Sequence, residues 1–308
     1  MRSYLFRRCL LFLPVLLGVC TLVFSLIHFI PGDPVQVMLG EGARAVDVAE
    51  LRSRLGLDKP LPVQYADFLV GLFRGNLGDS IRYREPVLRL VLDRYPATLA
   101  LAGASMLLAV LISFPAGIIA ATHRGRPLDR AASFLALVGL SLPNFWVGPM
   151  LIFLFSVKLD WFPVSGMENP LSIVLPAVTM GSALAAILMR MIRSSLLEEM
   201  AEPYSSAARA RGLGEWKIVL LHALKNALNP VLTVLGMQLG VLLTGAIITE
   251  TVFGWPGLGR LTIQAIETRD YPLVQGCILM ISLTYVAVNL LTDIAYVLFD
   301  PRIRYGDR

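Results

Sequence analysis

The sequence predicts an all-α membrane protein with six transmembrane helices. The chain of 308 residues is 56% hydrophobic and only 16% charged, with a mean hydropathy of +0.68. Ordinary soluble domains carry about 25% charge. The apolar residues are also gathered into six runs, at about 9–30, 97–121, 131–157, 172–195, 231–251 and 273–299. A helix of about 20 apolar residues crosses a hydrocarbon core of roughly 30 Å.

The positive charge gives these spans a direction, because Lys and Arg collect in short cytoplasmic loops. Three lie before the first run, three in the 122–130 loop (THRGRPLDR), six in the 196–230 region taken with Arg190 and Arg193, and three in the C-terminal tail. The 159–171 loop has none, and 252–272 has only Arg260 and Arg269. Both termini are therefore expected on the cytoplasmic side.

In chain order, Arg2, Arg7 and Arg8 precede the first run, as in a secretory signal. The run from Cys9 to Ile30 is longer than a signal core of about 7–15 residues and has no small-x-small cleavage site before Pro31, so it is expected to stay as a membrane helix. The 31–96 segment holds nine basic and nine acidic residues and is long enough to translocate regardless of charge, which makes it an external loop domain. It opens with a turn at Pro31, Gly32, Asp33 and Pro34. Helical patterns follow at about 47–55, closed by Gly56, and at 63–74, with a third, Pro86 to Arg94, running into Pro96. Their apolar stripes need a partner surface, and a cap on the chain's own helices supplies one.

Several function classes are disfavoured. The net charge of +5 is spread over membrane flanks without an aromatic-basic stripe, so no nucleic-acid partner is expected. Cys9, Cys20 and Cys277 make no spaced pair, which points to neither a disulfide framework nor a zinc site. His28 is placed outside and His123 and His222 inside, so no histidine-based catalytic site is assembled; no catalytic residue, cofactor or metal is expected. The chain has no G-x-x-x-x-G-K-[ST] loop and should not hydrolyse ATP itself. Gly254, Gly257 and Gly259 follow a membrane helix and enclose Pro256, which makes a rigid turn rather than a phosphate cradle.

Between the fourth and fifth runs lies YSSAARARGLGEWKIVLLHALKNALNP, residues 204–230. Pro203 suits the first turn of a helix, and Gly212 and Gly214 suit its end, giving a short helix over about 203–211. Ala207, Ala208 and Ala210 keep it slim enough to enter a groove on a partner, with Arg209 and Arg211 free to meet acids at the rim. A second helix, about Glu215 to Asn229, is expected to lie along the membrane surface through Trp216, Val219, Leu220, Ala223 and Leu224 before Pro230 and the fifth span.

At these residues the chain resembles a known family. Ser206, Ala207 and Ala208, followed after three residues by Gly212, are similar to the E-A-A-x-x-x-G loop of ABC importer permeases, with Ser in place of the Glu. The A-R-A-R-G-L and H-A-L-K-N-A-L-N-P strings resemble the dipeptide, oligopeptide and nickel branch. So do MRSYLFRR at the start, PGDP at 31–34, GNLGDS at 75–80, YPATLAL at 95–101, SLPNFW at 141–146, ETVFGWPGLGRL at 250–261, RDYPLVQ at 269–275 and DPRIRYG at 300–306. The resemblance spans nearly the whole chain.

It implies a type I importer permease fold in a bacterial inner membrane, divided as 1–30, an external domain at 31–96 and a core at 97–308 with a cytoplasmic coupling loop at 196–230. It also implies a second, similar permease subunit, two cytoplasmic ATP-binding subunits and an external solute-binding protein. Ser206 through Gly212 would couple to the ATPase. Short peptides are the expected cargo, with nickel or its chelates, glutathione and opines as alternatives. A secondary transporter is the rival from another class, but no internal repeat is visible. An intramembrane protease would need a nucleophile and base at one depth, which the histidine placement does not give.

Polar residues inside spans usually face a bundle interior or a water-filled path. Gly236 and Gly240 make a G-x-x-x-G step on the fifth span, with Gly245 continuing the small face. Gln238, Thr244 and Thr249 on that span are candidates for lining the pathway. Asp293, near the inner end of the sixth span, needs a cation, and Arg190 or Arg193 on the fourth is expected to supply it as a structural pair.

Overall fold

The computed structural model describes residues 2–25, 28, 34–40, 42, 44–54 and 56–299. The expected turn at Pro31, Gly32 and Asp33 and the DPRIRYG stretch lie outside them. The described residues are helical with short connections, and the extended pairing among them is a single bridge between Asp79 and Pro86. The helices in order are α1 (Arg2–Ser25), α2 (Pro34–Leu39), α3 (Ala45–Arg54), α4 (Leu61–Phe73), α5 (Val87–Thr122), α6 (Pro127–Ser141) and α7 (Asn144–Leu151). A π-helical stretch, Ile152–Lys158, prolongs α7. Then come α8 (Val174–Ala201), α9 (Pro203–Ala210), α10 (Glu215–Lys217), α11 (Leu224–Val252), α12 (Leu258–Glu267) and α13 (Tyr271–Phe299).

Among the described residues four helical stretches are long and apolar enough to cross a membrane: Val87–Thr122, Pro170–Ala201, Glu215–Thr244 and Tyr271–Ile294. Pro127–Ser141 and Asn144–Lys158, bent by 104° at their junction, make a fifth when taken together as one span. Leu13–Ser25 in α1 is apolar but shorter.

Three sequence expectations are corrected here. The 131–157 run is not one straight helix. Leu142 is extended (φ −88, ψ 121) and Pro143 continues extended (φ −72, ψ 141), because a residue before proline is pushed out of the helical region. Hydropathy does not register such a corner. The helix starting near Pro86 does not stop before Pro96 either: α5 runs on to Thr122, with Val91, Ala97, Leu101 and Ala102 buried around the proline. A proline removes one helix donor, and packing on both flanks outweighs that loss. Likewise the stretch from Glu215 is not a separate surface helix. α10, a π-helical turn at Ile218–Ala223 and α11 form one continuous rod through Pro230.

The chain divides into two compact units, Leu99–Trp255 with Ala287–Arg308 and Arg2–Thr98 with Pro256–Val286. In the first, α8 is central and nearly every turn of it is buried. Small residues let its neighbours approach closely. A Cβ on Gly117 of α5 would fall 2.8 Å from Ile192, and one on Gly181 would fall 2.8 Å from the Ser105 carbonyl oxygen. Ala120, Ala136, Ala186 and Met189 fill the seam between α5, α6 and α8.

In the second unit, Val87 and Val91 of α5 pack with Leu258, Leu261 and Ala265 of α12 and with Leu273 and Cys277 of α13. Two helix starts here are satisfied by side chains, that of α12 by a distant residue and that of α13 by the residue just before it. Thr98 Oγ1 accepts the Leu258 N–H (2.8 Å) at the start of α12. Asp270, fully buried, accepts the Leu273 N–H (3.3 Å), the Arg82 N–H (3.1 Å) and the Ser80 hydroxyl at the start of α13. On the other side of this unit α1 meets α4, through Thr21 Oγ1 and the Tyr65 hydroxyl (2.8 Å) and through Phe24 set against Tyr65 and Phe68.

Candidate functional site

The helix α9 ends as its sequence requires. Gly212 has φ +79, the left-handed conformation that glycine adopts without strain. The Leu213 N–H donates to the Ala208 carbonyl (3.2 Å) and the Gly212 N–H to the Arg209 carbonyl (2.9 Å), the paired bonds of a Schellman stop. At the other end Pro203 occupies the first turn, where no N–H is needed.

With 100° between successive residues, α9 has two unlike faces. Ser205 and Ala208 are buried against the chain itself, and Arg209 is half-buried. Pro203, Ser206, Ala207, Ala210 and Arg211 are exposed. Between Tyr204 at its start and Arg211 at its end, both exposed, the exposed face is slim, while the inner face is tied down. Ser205 Oγ–H donates to the Glu199 carbonyl (2.8 Å). The Tyr204 hydroxyl donates to the Glu199 carboxylate, and Asn226 Nδ2–H of α11 donates to both (3.4 Å to Glu199 Oε2, 3.3 Å to the Tyr204 oxygen). Burial, then the bond to Glu199, raises the Tyr204 phenol above its ordinary pKa, so it remains a donor.

Two details differ from what the sequence suggested. Ala208 belongs to the chain's own packing and is 8% exposed. Arg209 is engaged within the chain, by Glu215 (2.8 Å) and the Met200 carbonyl (3.4 Å), which leaves Arg211 as the exposed cation of the helix.

On α11 the expected residues do not act as one set. A Cβ on Gly236 would fall 2.0 Å from Thr292 Cγ2, so at this one residue α11 lies hard against α13. Gly240 is buried. Gly245, nine residues on from Gly236, comes about 180° round a regular helix and cannot continue the same face; its surroundings lie outside the described residues. Gln238 is half-buried and Thr244 is exposed, its hydroxyl returned to the Gly240 and Val241 carbonyls (3.3 and 3.1 Å). Thr249 is 2% exposed, and its hydroxyl has no hydrogen-bond partner.

The expected ion pair has a different carboxylate. Arg193 donates two bonds to Asp129, from Nε to Oδ1 (2.6 Å) and from Nη2 to Oδ2 (2.9 Å). Asp129 also accepts the Gly125 N–H (2.8 Å). Arg190 is exposed and Asp293 is half-buried on α13. In the sequence Asp129 is only one residue of the 122–130 loop. Its partner lies 64 residues away on α8, and no local pattern marks that distance.

The same chain pattern recurs in known proteins. The family described as "Binding-protein-dependent transport system inner membrane component" matches residues 113–305, and that of its N-terminal region matches residues 1–102. The di/tripeptide transport system permease protein DppB of Pseudomonas aeruginosa is 45% identical over 336 residues, covering 99% of both chains. DppB of Escherichia coli K12, a dipeptide transport system permease protein, is 42% identical over 337 residues at the same coverage. The glutathione transport system permease protein GsiC of Salmonella choleraesuis is 41% identical over 305 residues, 99% of this chain and 100% of that one. Among solved structures, the inward-facing MetNI methionine ABC transporter has a TM-score of 0.57 at 20% identity, over 69% of this chain and 97% of that one. An amino acid ABC transporter has 0.53 at 20%, over 70% and 94%. These two likenesses establish the fold. The helical spans, the short α9 loop and the full-length matches agree: this chain belongs to the family of inner membrane components of binding-protein-dependent transport systems, as a transport subunit and not an enzyme.

Proposed function

We propose that the chain is one of two permease subunits of an ATP-driven importer for short peptides, and that α9 is where it receives the work of ATP hydrolysis. The observation that carries this is the two-faced geometry of α9. A rigidly anchored helix with an exposed face of Ser206, Ala207 and Ala210 can seat in a socket with little side-chain entropy lost. Movement of the socket then moves α8 and α11 through Glu199, Tyr204 and Asn226.

In this reading α1 joins the other five apolar stretches as the first of six spans, both termini are cytoplasmic, and 31–96 forms an external cap that a loaded binding protein approaches. The core from 97 onward carries transport, with Ser206 to Gly212 facing two cytoplasmic ATP-binding subunits. The second permease subunit is a similar but distinct chain. Thr244, with Met237, Val241 and Ile248 exposed beside it on α11, faces the pathway or that partner; Gln238 stands at its edge. Thr249 serves packing.

Peptide cargo is supported by the identity to the di/tripeptide and dipeptide permeases. Glutathione is itself a tripeptide, and the glutathione permeases align over 305 positions, close to this chain's own length. The test is uptake into proteoliposomes holding both permeases and both ATPase subunits, with binding protein inside-excluded and labelled dipeptide or glutathione outside. Uptake that needs ATP and binding protein supports the proposal. Uptake driven by an ion gradient without them would make the chain a secondary transporter.

A further inference from the structure

The elements α6, α7, α8 and α9 all belong to one compact unit. Within it α9 is bound to the end of α8, through the Ser205 bond to the Glu199 carbonyl, the Tyr204 bond to the Glu199 carboxylate and the Arg209 bond to the Met200 carbonyl. Displacing α9 therefore displaces α8. From Glu199 to Arg193 is less than two helical turns, and there the guanidinium grips Asp129 with two parallel bonds, of 2.6 and 2.9 Å. Asp129 is 4% exposed and sits in the first turn of α6, where it also holds the Gly125 N–H (2.8 Å) and the Ser133 hydroxyl (3.4 Å).

The rest of the α6 to α8 seam is apolar and small. Ala132, Ala136 and Gly139 of α6 face Ala186 and Met189 of α8, and a Cβ on Gly139 would sit 3.5 Å from that of Ala186. Such packing holds the two helices together but contains no directional bond between them. A bidentate pair has one geometry and fixes the register. Beyond the seam α6 ends at the extended corner of Leu142 and Pro143, and α7 departs at 104°. A shift of α6 is turned there into a swing of α7.

We propose that Asp129 and Arg193 are positioning residues for transport, forming a clamp that carries movement of α9 into the broken span α6–α7. The proposal rests on α9 being the ATPase contact. It separates two quantities that are usually lost together: ATP hydrolysis, which needs α9 docked, and cargo moved per ATP, which needs the clamp.

The experiment uses the reconstituted importer with both permeases, both ATPase subunits and loaded binding protein, measuring assembly, ATPase rate and uptake per ATP. Asp129→Asn with Arg193→Gln removes the charges together, so no unpaired ion is left buried. This double variant is expected to assemble and hydrolyse ATP at the normal rate while uptake per ATP falls roughly tenfold, within the usual range of coupling effects. Arg193→Lys, which keeps the charge and loses the fork, covers the case in which the double variant does not assemble, and its ratio is expected to fall less. An unchanged ratio in whichever of these variants assembles overturns the proposal, as does a fall in hydrolysis and uptake in equal proportion. Ala207→Trp is measured beside them. If it leaves ATPase binding and coupling intact, the reading of α9 fails, whatever the clamp variants do.

Discussion

Ala207 and Ala208 are adjacent in sequence and serve opposite sides of α9: Ala207 is exposed, whereas Ala208 is packed against its own chain and 8% exposed. The two positions therefore separate folding from docking. Ala208→Glu places a carboxylate in the packed interior, where overpacking alone costs about 1–3 kcal/mol and the buried charge adds to it. It should lower the melting temperature of the detergent-purified chain. Ala207→Glu should leave that temperature unchanged and reduce recovery of the ATPase subunits in a pull-down. Equal loss of chain stability from both would contradict the two-faced helix.

Ser80 should prove structural despite its place in the GNLGDS motif. Its hydroxyl is one of three donors to the buried Asp270 carboxylate, with the N–H groups of Arg82 and Leu273. Ser80→Ala leaves the carboxylate one bond short, a deficit of about 1–3 kcal/mol for a buried group. Asp270→Ala frees all three donors and should cost more. Ser80 Oγ also accepts the Tyr83 N–H (2.9 Å), so thermal unfolding of the two single variants and the double should show a loss in the double that is smaller than the sum of the two; additive losses would show that the Ser80 to Asp270 bond carries no coupling.

At the α11–α13 crossing, Gly236→Ala drives a methyl to within 2.0 Å of Thr292 Cγ2. The helices must part, at about 1–3 kcal/mol. Thr292→Ala removes the two nearest atoms, so the double variant should recover part of the loss. If Gly236→Ala is harmless by itself, the close approach is not a packing requirement.

Topology is testable by labelling. Single cysteines at Ala45, which is exposed, and Gly166, which is half-buried, should react with an impermeant maleimide on intact cells, and one at Arg126 only after permeabilisation. Labelling at Arg126 from outside would reverse the orientation inferred from the Lys and Arg distribution.

What was legible in the sequence was what depends on composition over a window or on one local turn. The spans follow from the cost of polar groups in lipid, and α9 follows from Pro203 and Gly212, whose φ of +79 matches its expected role. The bend after Ser141 was carried by Leu142 and Pro143, yet Ser141 and Asn144 are lost in the apolar average of the run and hydropathy cannot distinguish a corner from a rod. The partner of Arg193 was not legible, because Asp129 reaches it only after α6 and α8 have packed through their small residues. The side of α9 on which each alanine lies depends likewise on how α9 folds back on Glu199.

The most direct measurement is site-specific photocross-linking from α9 in the assembled importer, with the native cysteines replaced by alanine and a benzophenone maleimide attached at Ala207→Cys. The expected product is an adduct with an ATPase subunit, formed also from Ala210→Cys and absent from a probe at Gly166. Adducts with the ATPase from Gly166 and none from positions 207 and 210 would place the ATPase on the opposite side and contradict the account.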